Sequence, residues 1–220
     1  FQPMTTRTML ELTGNETLGR DLVHFATGLS GVFCRFAAAL KPGAPFVFTY
    51  HHNQLEAYEP LILALLDARL HCCTVLPAPA EMSASLHINN TDSSILDSVF
   101  VCRDEVGPLS RIPIPDIRHL LVQDLHEMRR GGVRPTLGDA KCLLRGYLAA
   151  FTVEQLHDSW DRILATQPRL ARVHRTLLEL ALQVQHSSLP NWALEEASRP
   201  DDAAVMQLRF EIEVPAAAAI

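Results

Sequence analysis

The stretch of sequence that decides the fold spans residues 40–52 and reads LKPGAPFVFTYHH. Lys41, Pro42 and Gly43 predict the end of a preceding helix, because proline cannot continue a helix and glycine tolerates a positive φ. The run from Phe46 to Tyr50 is aromatic and β-branched and has no polar alternation, which is typical of a strand buried on both faces. Such strands occur mostly in parallel sheets, so this stretch predicts an α/β fold.

The flanking sequence extends this pattern in both directions. Apolar residues recur at steps of three and four between residues 18 and 40, which predicts an amphipathic helix. Residues 55–66 predict a second helix, and residues 70–76 and 95–102 predict two strands that pair as a hairpin with a long connection. This order predicts the C-terminal half of a doubly wound, Rossmann-like sheet that contains a β-hairpin.

The second half of the chain has a helical periodicity. Helices are predicted over residues 117–130, 137–151, 153–166 and 170–184, with Thr152 as the N-cap of the third. After residue 186 the pattern weakens, and only residues 206–214 alternate well enough to predict a strand.

These patterns predict three regions. Residues 1–107 form the α/β half domain, residues 108–187 form a helical bundle, and residues 188–220 are a linker with a possible lone strand. The chain begins at Phe1 without an initiator methionine or a signal-peptide pattern, so we expect it to be an internal piece of a longer protein.

Several of these segments resemble a known family. The residues that carry the resemblance are GLSGVF (28–33), LKPG (40–43), FVFTYHH (46–52), the hairpin segment LPAPAE (76–81), Ser85-Leu86 and VFVCR (99–103). They resemble the back half of class I S-adenosylmethionine-dependent methyltransferases. More narrowly, they are similar to the adenine-specific DNA methylases that carry a DUF1156 region. The resemblance covers approximately residues 18–170.

The resemblance implies S-adenosyl-L-methionine as the cofactor and DNA as a partner, in a restriction-modification or phage-defence setting. The implied reaction is attack of the adenine amino nitrogen on the sulfonium methyl group. That chemistry needs a glycine-rich loop after the first strand and an Asp/Asn-Pro-Pro-aromatic segment. Neither occurs in the 220 residues, and in the family both precede this segment. We therefore assign no catalytic or cofactor-binding residue, and we expect the remainder of the protein or other subunits as partners.

Two groups of polar side chains are candidates for substrate binding. His51 and His52 follow the first strand, and ligands of doubly wound sheets bind beyond the carboxyl ends of the strands. By the resemblance, the loop after the second strand approaches the target base, and its polar candidates are Glu81, Ser85, His87 and Asn89. The alternatives are that the two histidines cap the next helix or bond to neighbouring loops, and that the loop is an ordinary surface loop.

Composition narrows the class of protein. The net charge of −6 argues against a self-sufficient nucleic-acid binder, although Arg129, Arg130 and Arg134 belong to an arginine-rich helical half that could face phosphate. The five cysteines contain no CxxC pair, and the adjacent His71, Cys72 and Cys73 of a strand cannot chelate one metal together. No uninterrupted apolar run reaches the length of a membrane span. We expect a cytoplasmic protein without a metal or a membrane partner.

Two other functions remain open at this point. The chain can be a non-catalytic methyltransferase-like subunit that positions DNA or partners in a larger complex, which the acidic charge and the missing motifs favour. It can also be a fragment of a methyltransferase that acts on RNA or on a small molecule.

Overall fold

The computed structural model describes residues 21–79, 96–104, 117–161 and 168–199. Within these ranges the chain forms six α-helices, a short 3-10 helix and one three-stranded sheet. In chain order they are α1 (Leu22–Ala39), β1 (Phe46–Tyr50), the 3-10 helix (Glu56–Tyr58), α2 (Glu59–Asp67), β2 (His71–Pro79), β3 (Leu96–Arg103), α3 (Ile117–Arg130), α4 (Leu137–His157), α5 (Arg169–Gln183) and α6 (Leu189–Glu196). The predicted mixture of helices and strands is confirmed.

The sheet has the strand order β1-β3-β2, and β3 is antiparallel to both neighbours. Phe100 of β3 lies opposite Phe48 on one side and Val75 on the other. The predicted β2–β3 hairpin is therefore confirmed. Because β1 and β2 each oppose β3, they run parallel to one another, with α2 crossing between them. The expectation that the 46–50 strand pairs in parallel is wrong for the described residues, since β3 is inserted beside it.

Helices cover one face of this sheet. Burial alternates along β1 and β3, so that Phe46 and Phe48 turn towards the core while Val47 remains 52% exposed. Within the part of the chain that the structure describes, the prediction that the 46–50 strand is buried on both faces is thus wrong. An aromatic and β-branched run fits a strand with one or two covered faces equally well, and only the neighbouring elements decide between them.

The turn between α1 and β1 has the predicted chemistry. Helix α1 begins at the N-cap Asp21, whose carboxylate accepts from the backbone N–H of His24 at 2.8 Å. Its C-cap is Leu40, and Gly43 follows with a φ of 71°. The backbone N–H of Gly43 donates to Asp104 at 3.0 Å, and Arg103 donates to the Gly43 carbonyl. The turn is therefore fastened to the end of β3.

Helix α1 packs on β1 through aromatic rings. The ring of Phe33 meets those of Phe46 and Phe48 edge-on, with centroids 5.1 and 5.2 Å apart. By length and composition alone α1 could also cross a membrane, a test that the core helices of soluble proteins pass as well. The expected cytoplasmic location and the expected absence of a membrane partner therefore stay predictions.

Helix α4 differs from its prediction. Its N-cap is Thr136, which forms a capping box with Asp139, and the helix continues through Thr152 to His157. The predicted break at Thr152 is wrong. Its buried hydroxyl donates to the carbonyl of Leu148 at 2.7 Å, so a residue that favours helix starts is satisfied inside a helix.

The region after residue 186 also departs from expectation. Leu189 and Ala193 of α6 are buried, and α6 packs on α3 and α4 where a linker was predicted. Such short helices depend on tertiary packing more than on their own periodicity. The predicted strand over residues 206–214 lies outside the described residues, and the division of the chain into three regions stays a prediction.

Two histidines stack where the end of α4 meets the start of β2. The rings of His71 and His157 lie 3.5 Å apart, centroid to centroid. Glu154 accepts from the backbone N–H of Cys72 at 3.1 Å and lies 3.2 Å from Nδ1 of His71. Burial lowers the pKa of His157, and the neighbouring His71 lowers it further.

We expect this lowered pKa to make the stability of the fold depend on pH. The unfolded chain binds a proton on His157 below pH 6.5, whereas the folded chain resists it. The free energy of unfolding therefore has its full value with respect to His157 above pH 6.5. It decreases as the pH falls from 6.5 through the lower pKa of His157 in the folded chain. Urea unfolding across this range should show the fall, and His157→Gln should flatten it relative to His186→Gln, which alters an exposed histidine. Equal slopes in the two variants would contradict the assignment.

Candidate functional site

The strands end together at one side of the sheet. Tyr50 and Pro77 both lie opposite Ser98, and Pro79 lies opposite Leu96. The carboxyl ends of β1 and β2 therefore meet at the same side, which we call the carboxyl edge. His51 and His52 follow β1 directly at this edge. Ligands of α/β sheets bind at such an edge, so the two histidines occupy the position at which the sequence predicted them.

His51 is half-buried and anchored through one ring nitrogen. Its Nδ1 lies 3.0 Å from the carbonyl oxygen of Leu96 and 3.3 Å from Sγ of Cys142 on α4. Since a carbonyl only accepts, Nδ1 carries the proton in this pair, and Nε2 of the neutral ring is left as an acceptor. The anchor thus fixes both the ring and its tautomer.

His52 is exposed and takes part in the turn that follows β1. Its Nδ1 accepts from the backbone N–H of Gln54 at 3.0 Å. The alternative of bonds to neighbouring backbone is therefore observed for both histidines. Such bonds are compatible with ligand binding through the remaining nitrogens, so the predicted binding role stays a prediction.

The carboxyl edge also contains two tyrosines, Tyr50 of the predicted strand and Tyr58 of the helix predicted over residues 55–66. The rings of Tyr50 and Tyr58 meet edge-on at 5.0 Å, and the Tyr50 hydroxyl donates to the Ala57 carbonyl at 2.7 Å. The Tyr58 hydroxyl is buried and has no hydrogen-bond partner among the described residues. The only sequence signal that could have placed these two tyrosines together was their position at either end of the segment 51–57.

Burial controls the ionisation of both phenols. It raises the pKa of Tyr58 far above its usual value, and Cys142 raises it further. The nearby backbone N–H of His52 and the guanidinium of Arg145 offset part of this rise in pKa through their positive charge, without a hydrogen bond of normal geometry to the hydroxyl. Burial also raises the pKa of Tyr50. Both phenols are therefore neutral at physiological pH and can act as hydrogen-bonding groups but not as bases.

The strand ends on either side of the long loop lie at the same edge. The loop leaves the sheet after Pro79 and returns at Leu96, and the Leu96 carbonyl is the acceptor for His51. The candidate residues of this loop, Glu81, Ser85, His87 and Asn89, lie outside the described residues. The described residues that flank this loop, Pro79 and Leu96, lie at the same edge of the sheet as the two histidines.

The arrangement suits recognition better than catalysis. His51, His52 and Arg145 provide hydrogen-bonding atoms and one cation that could meet a nucleobase edge or a phosphate. Within the described ranges no group of three or more histidine, cysteine or carboxylate side chains could hold a metal ion. All five cysteines are free thiols.

The residues at this edge do not fit a complete S-adenosylmethionine site. The chain leaves β1 through His51, His52 and Asn53, whereas a close backbone approach to the cofactor needs glycines after a strand. The two described glycines with positive φ, Gly43 and Gly132, belong to turns that follow helices. Any cofactor-binding residues must therefore come from outside the described part of the chain.

Comparison of the chain with protein-family models, with curated proteins and with solved structures gave no match.

Proposed function

We propose that this chain is part of an S-adenosylmethionine-dependent, adenine-specific DNA methyltransferase, in a restriction-modification or phage-defence setting. The observation that carries the proposal is the carboxyl edge, where β1, β2 and the stems of the loop converge on His51 and His52. The segments that resemble the methylases, FVFTYHH and VFVCR, form β1 with its edge and the end of β3. In this proposal the three strands are the closing half of a doubly wound sheet.

The role of this chain is then to hold the target nucleotide. The Nε2 acceptor of His51 suits an exocyclic amino group such as that of adenine, which donates hydrogen bonds. Arg129, Arg130 and Arg134 are exposed around the turn between α3 and α4 and suit backbone phosphates. The cofactor and the groups that position its methyl lie in other parts of the protein or on partner subunits.

The second candidate is a non-catalytic subunit that positions DNA or partner proteins. The net charge of −6 and the poor fit to the cofactor favour it. Both functions use the same carboxyl edge, so cofactor binding is the measurement that separates them.

We expect labelled S-adenosylmethionine to bind the protein in its native, complete or complexed form and not the 220-residue chain alone. Equilibrium dialysis of both forms measures this directly. The same native form should transfer the label to adenine in DNA. No binding to either form would contradict the enzyme and leave the DNA-positioning subunit.

Substitution of His52 tests whether DNA binding uses the carboxyl edge. His52→Ala removes an exposed side chain whose only hydrogen bond among the described residues is within its own turn. We expect about a tenfold rise in KM for DNA with little change in kcat, as for the loss of one base or phosphate contact. His186→Ala, at an exposed histidine between α5 and α6, is the matched control. Unchanged KM in both variants would remove His52 from the binding site.

A further inference from the structure

Two buried cysteines lie directly opposite each other in the sheet. Cys72 of β2 is paired with Cys102 of β3 in the antiparallel register. Side chains of directly opposed residues are on the same face of a sheet, so the two thiols are neighbours. Cys102 is fully buried and Cys72 is 5% exposed. The fold thus brings together two thiols that come from different strands.

The hydrogen bonds around Cys72 show which kind of pair this is. Its backbone N–H is bound by the carboxylate of Glu154 at 3.1 Å and therefore points away from β3. In an antiparallel ladder such a residue belongs to a non-hydrogen-bonded pair, whose Cα atoms are about 4.5 Å apart. A disulfide requires Cα atoms that are roughly 4.4 to 6.8 Å apart. The backbone at Cys72 and Cys102 therefore suits a disulfide across the two strands.

A β-bulge follows Cys72 on the same strand. Thr74 is opposite Val101, the neighbour of Cys102, so Cys73 is an extra residue with no Cα partner on β3. A bulge bends its strand and interrupts the ladder locally. The backbone beside Cys72 is therefore less constrained than a regular strand, and it can adjust to a bond between the two sulfur atoms.

A cleft formed by the described residues leads to Cys72. It is lined by Cys72 on β2, by Leu120 and Asp124 on α3 and by Phe151 on α4, among others. Its cavity of about 60 Å³ admits molecules of the size of water, and hydrogen peroxide is not much larger. Cys102 does not line the cleft. A small oxidant therefore reaches Cys72 first.

We propose that Cys72 and Cys102 form a reversible redox site, in which hydrogen peroxide converts the two thiols into a cross-strand disulfide. The sulfur of Cys72 attacks one peroxide oxygen, the O–O bond breaks and water leaves, so that Cys72 becomes a sulfenic acid. The sulfur of Cys102 then attacks the sulfur of Cys72 and displaces a second water. Both sulfur atoms are oxidised, one peroxide is reduced, and the two thiol protons leave in the two water molecules. The site does not depend on methyl transfer.

The surroundings of Cys72 keep the pair reduced during brief exposure to peroxide. The neighbouring thiol of Cys102 raises the pKa of Cys72, and burial raises it further. The thiolate is the form that attacks peroxide, so a raised pKa slows the first step. We therefore expect oxidation over hours of sustained exposure rather than over seconds.

Mass spectrometry of the full chain tests the assignment. The protein is kept with millimolar hydrogen peroxide at a mildly alkaline pH, and the remaining thiols are alkylated before proteolysis. We expect a pair of peptides joined through Cys72 and Cys102, which separates when the sample is first reduced with dithiothreitol. The crosslink should persist in Cys73→Ala, in which Cys72 is the only cysteine of β2. Cys72→Ala and Cys102→Ala should each abolish it.

Thermal unfolding shows whether the disulfide fits the folded sheet. The bond closes a ring that contains the long loop, and such a crosslink stabilises a fold mainly by restricting the unfolded chain. Oxidation should therefore raise the Tm of the protein by about 10 °C. The Cys102→Ala variant should show no such rise.

Other results would overturn the proposal. A crosslink through Cys73, or a sulfinic acid at Cys72 without a crosslink, would show that Cys102 does not attack the sulfenic acid. Thiols that can all still be alkylated after sustained exposure would show that peroxide does not reach Cys72. A Tm that falls on oxidation would show that the sheet does not accept the bond.

Discussion

Replacing Gly146 with leucine is expected to lower the free energy of unfolding by about 3 kcal/mol, because α4 lies against the sheet at this position. A Cβ atom on Gly146 would come within 2.8 Å of Oγ of Ser98 and within 2.9 Å of Cγ1 of Val75. The serine hydroxyl can rotate away, but the β-branched valine is stiff at χ1. A leucine must therefore push α4 away from both β2 and β3.

Gly31 provides a matched control in α1. No atom lies within 4 Å of the Cβ position at Gly31. Its backbone has an ordinary helical φ, which any residue can adopt. Gly31→Ala should therefore raise the free energy of unfolding by about 1 kcal/mol, the usual gain in helix propensity. Urea unfolding followed by circular dichroism measures both changes. A stable Gly146→Leu variant would contradict the described packing of α4 on the sheet.

The second large effect is expected at Asp67, the last residue of α2. Its carboxylate accepts from Oγ of Ser30 at 2.5 Å, from Nε1 of Trp160 at 3.0 Å and from the Arg169 guanidinium at 2.8 Å. The side chain is 9% exposed, and a carboxylate at a helix C-terminus is opposed by the helix dipole. Asp67 thus depends on these partners, and through them it joins α1, α2, α5 and the segment after α4.

Asp67→Ala should lower the free energy of unfolding by about 3 kcal/mol, since it leaves the buried Trp160 N–H without its acceptor. The ion pair itself contributes little of this loss, because the Arg169 side chain is 45% exposed. Asp67→Asn keeps an acceptor oxygen and should lose about 1 kcal/mol. Asp161→Ala, which removes an exposed carboxylate paired with Arg69, should cause no measurable change. Similar stabilities of the Asp67→Ala and Asp161→Ala variants would contradict this role of Asp67.

Much of the secondary structure could be predicted because its signals are local. The Lys-Pro-Gly turn, the strand before His51 and the stripe of α5 each appear within a few residues of sequence. The error at Thr152 has a local origin too, since a threonine can cap a helix or bond to its own helix four residues back. The sequence could not distinguish the two, because the choice depends on the burial of α4.

The candidate site was predictable only in part. His51 and His52 could be placed at the end of a strand from sequence order alone. The contacts that hold the His51 ring could not be predicted, because Leu96 and Cys142 are 45 and 91 residues away along the chain. The burial of the Tyr58 hydroxyl could not be predicted either, since a tyrosine in an apolar stripe gives no sign of whether its hydroxyl finds a partner.

The sequence by itself determined where most of the helices and strands of this protein begin and end, and that β2 and β3 form a hairpin. Apolar periodicity, proline and glycine act over a few residues, so the boundaries of most helices and strands depend on nothing more distant. Only the tertiary structure decided that β3 lies between β1 and β2, that helices cover one face, and that Glu154 binds the outward backbone N–H of Cys72 on β2. Strand order and burial depend on contacts between residues far apart in sequence, which no local pattern encodes.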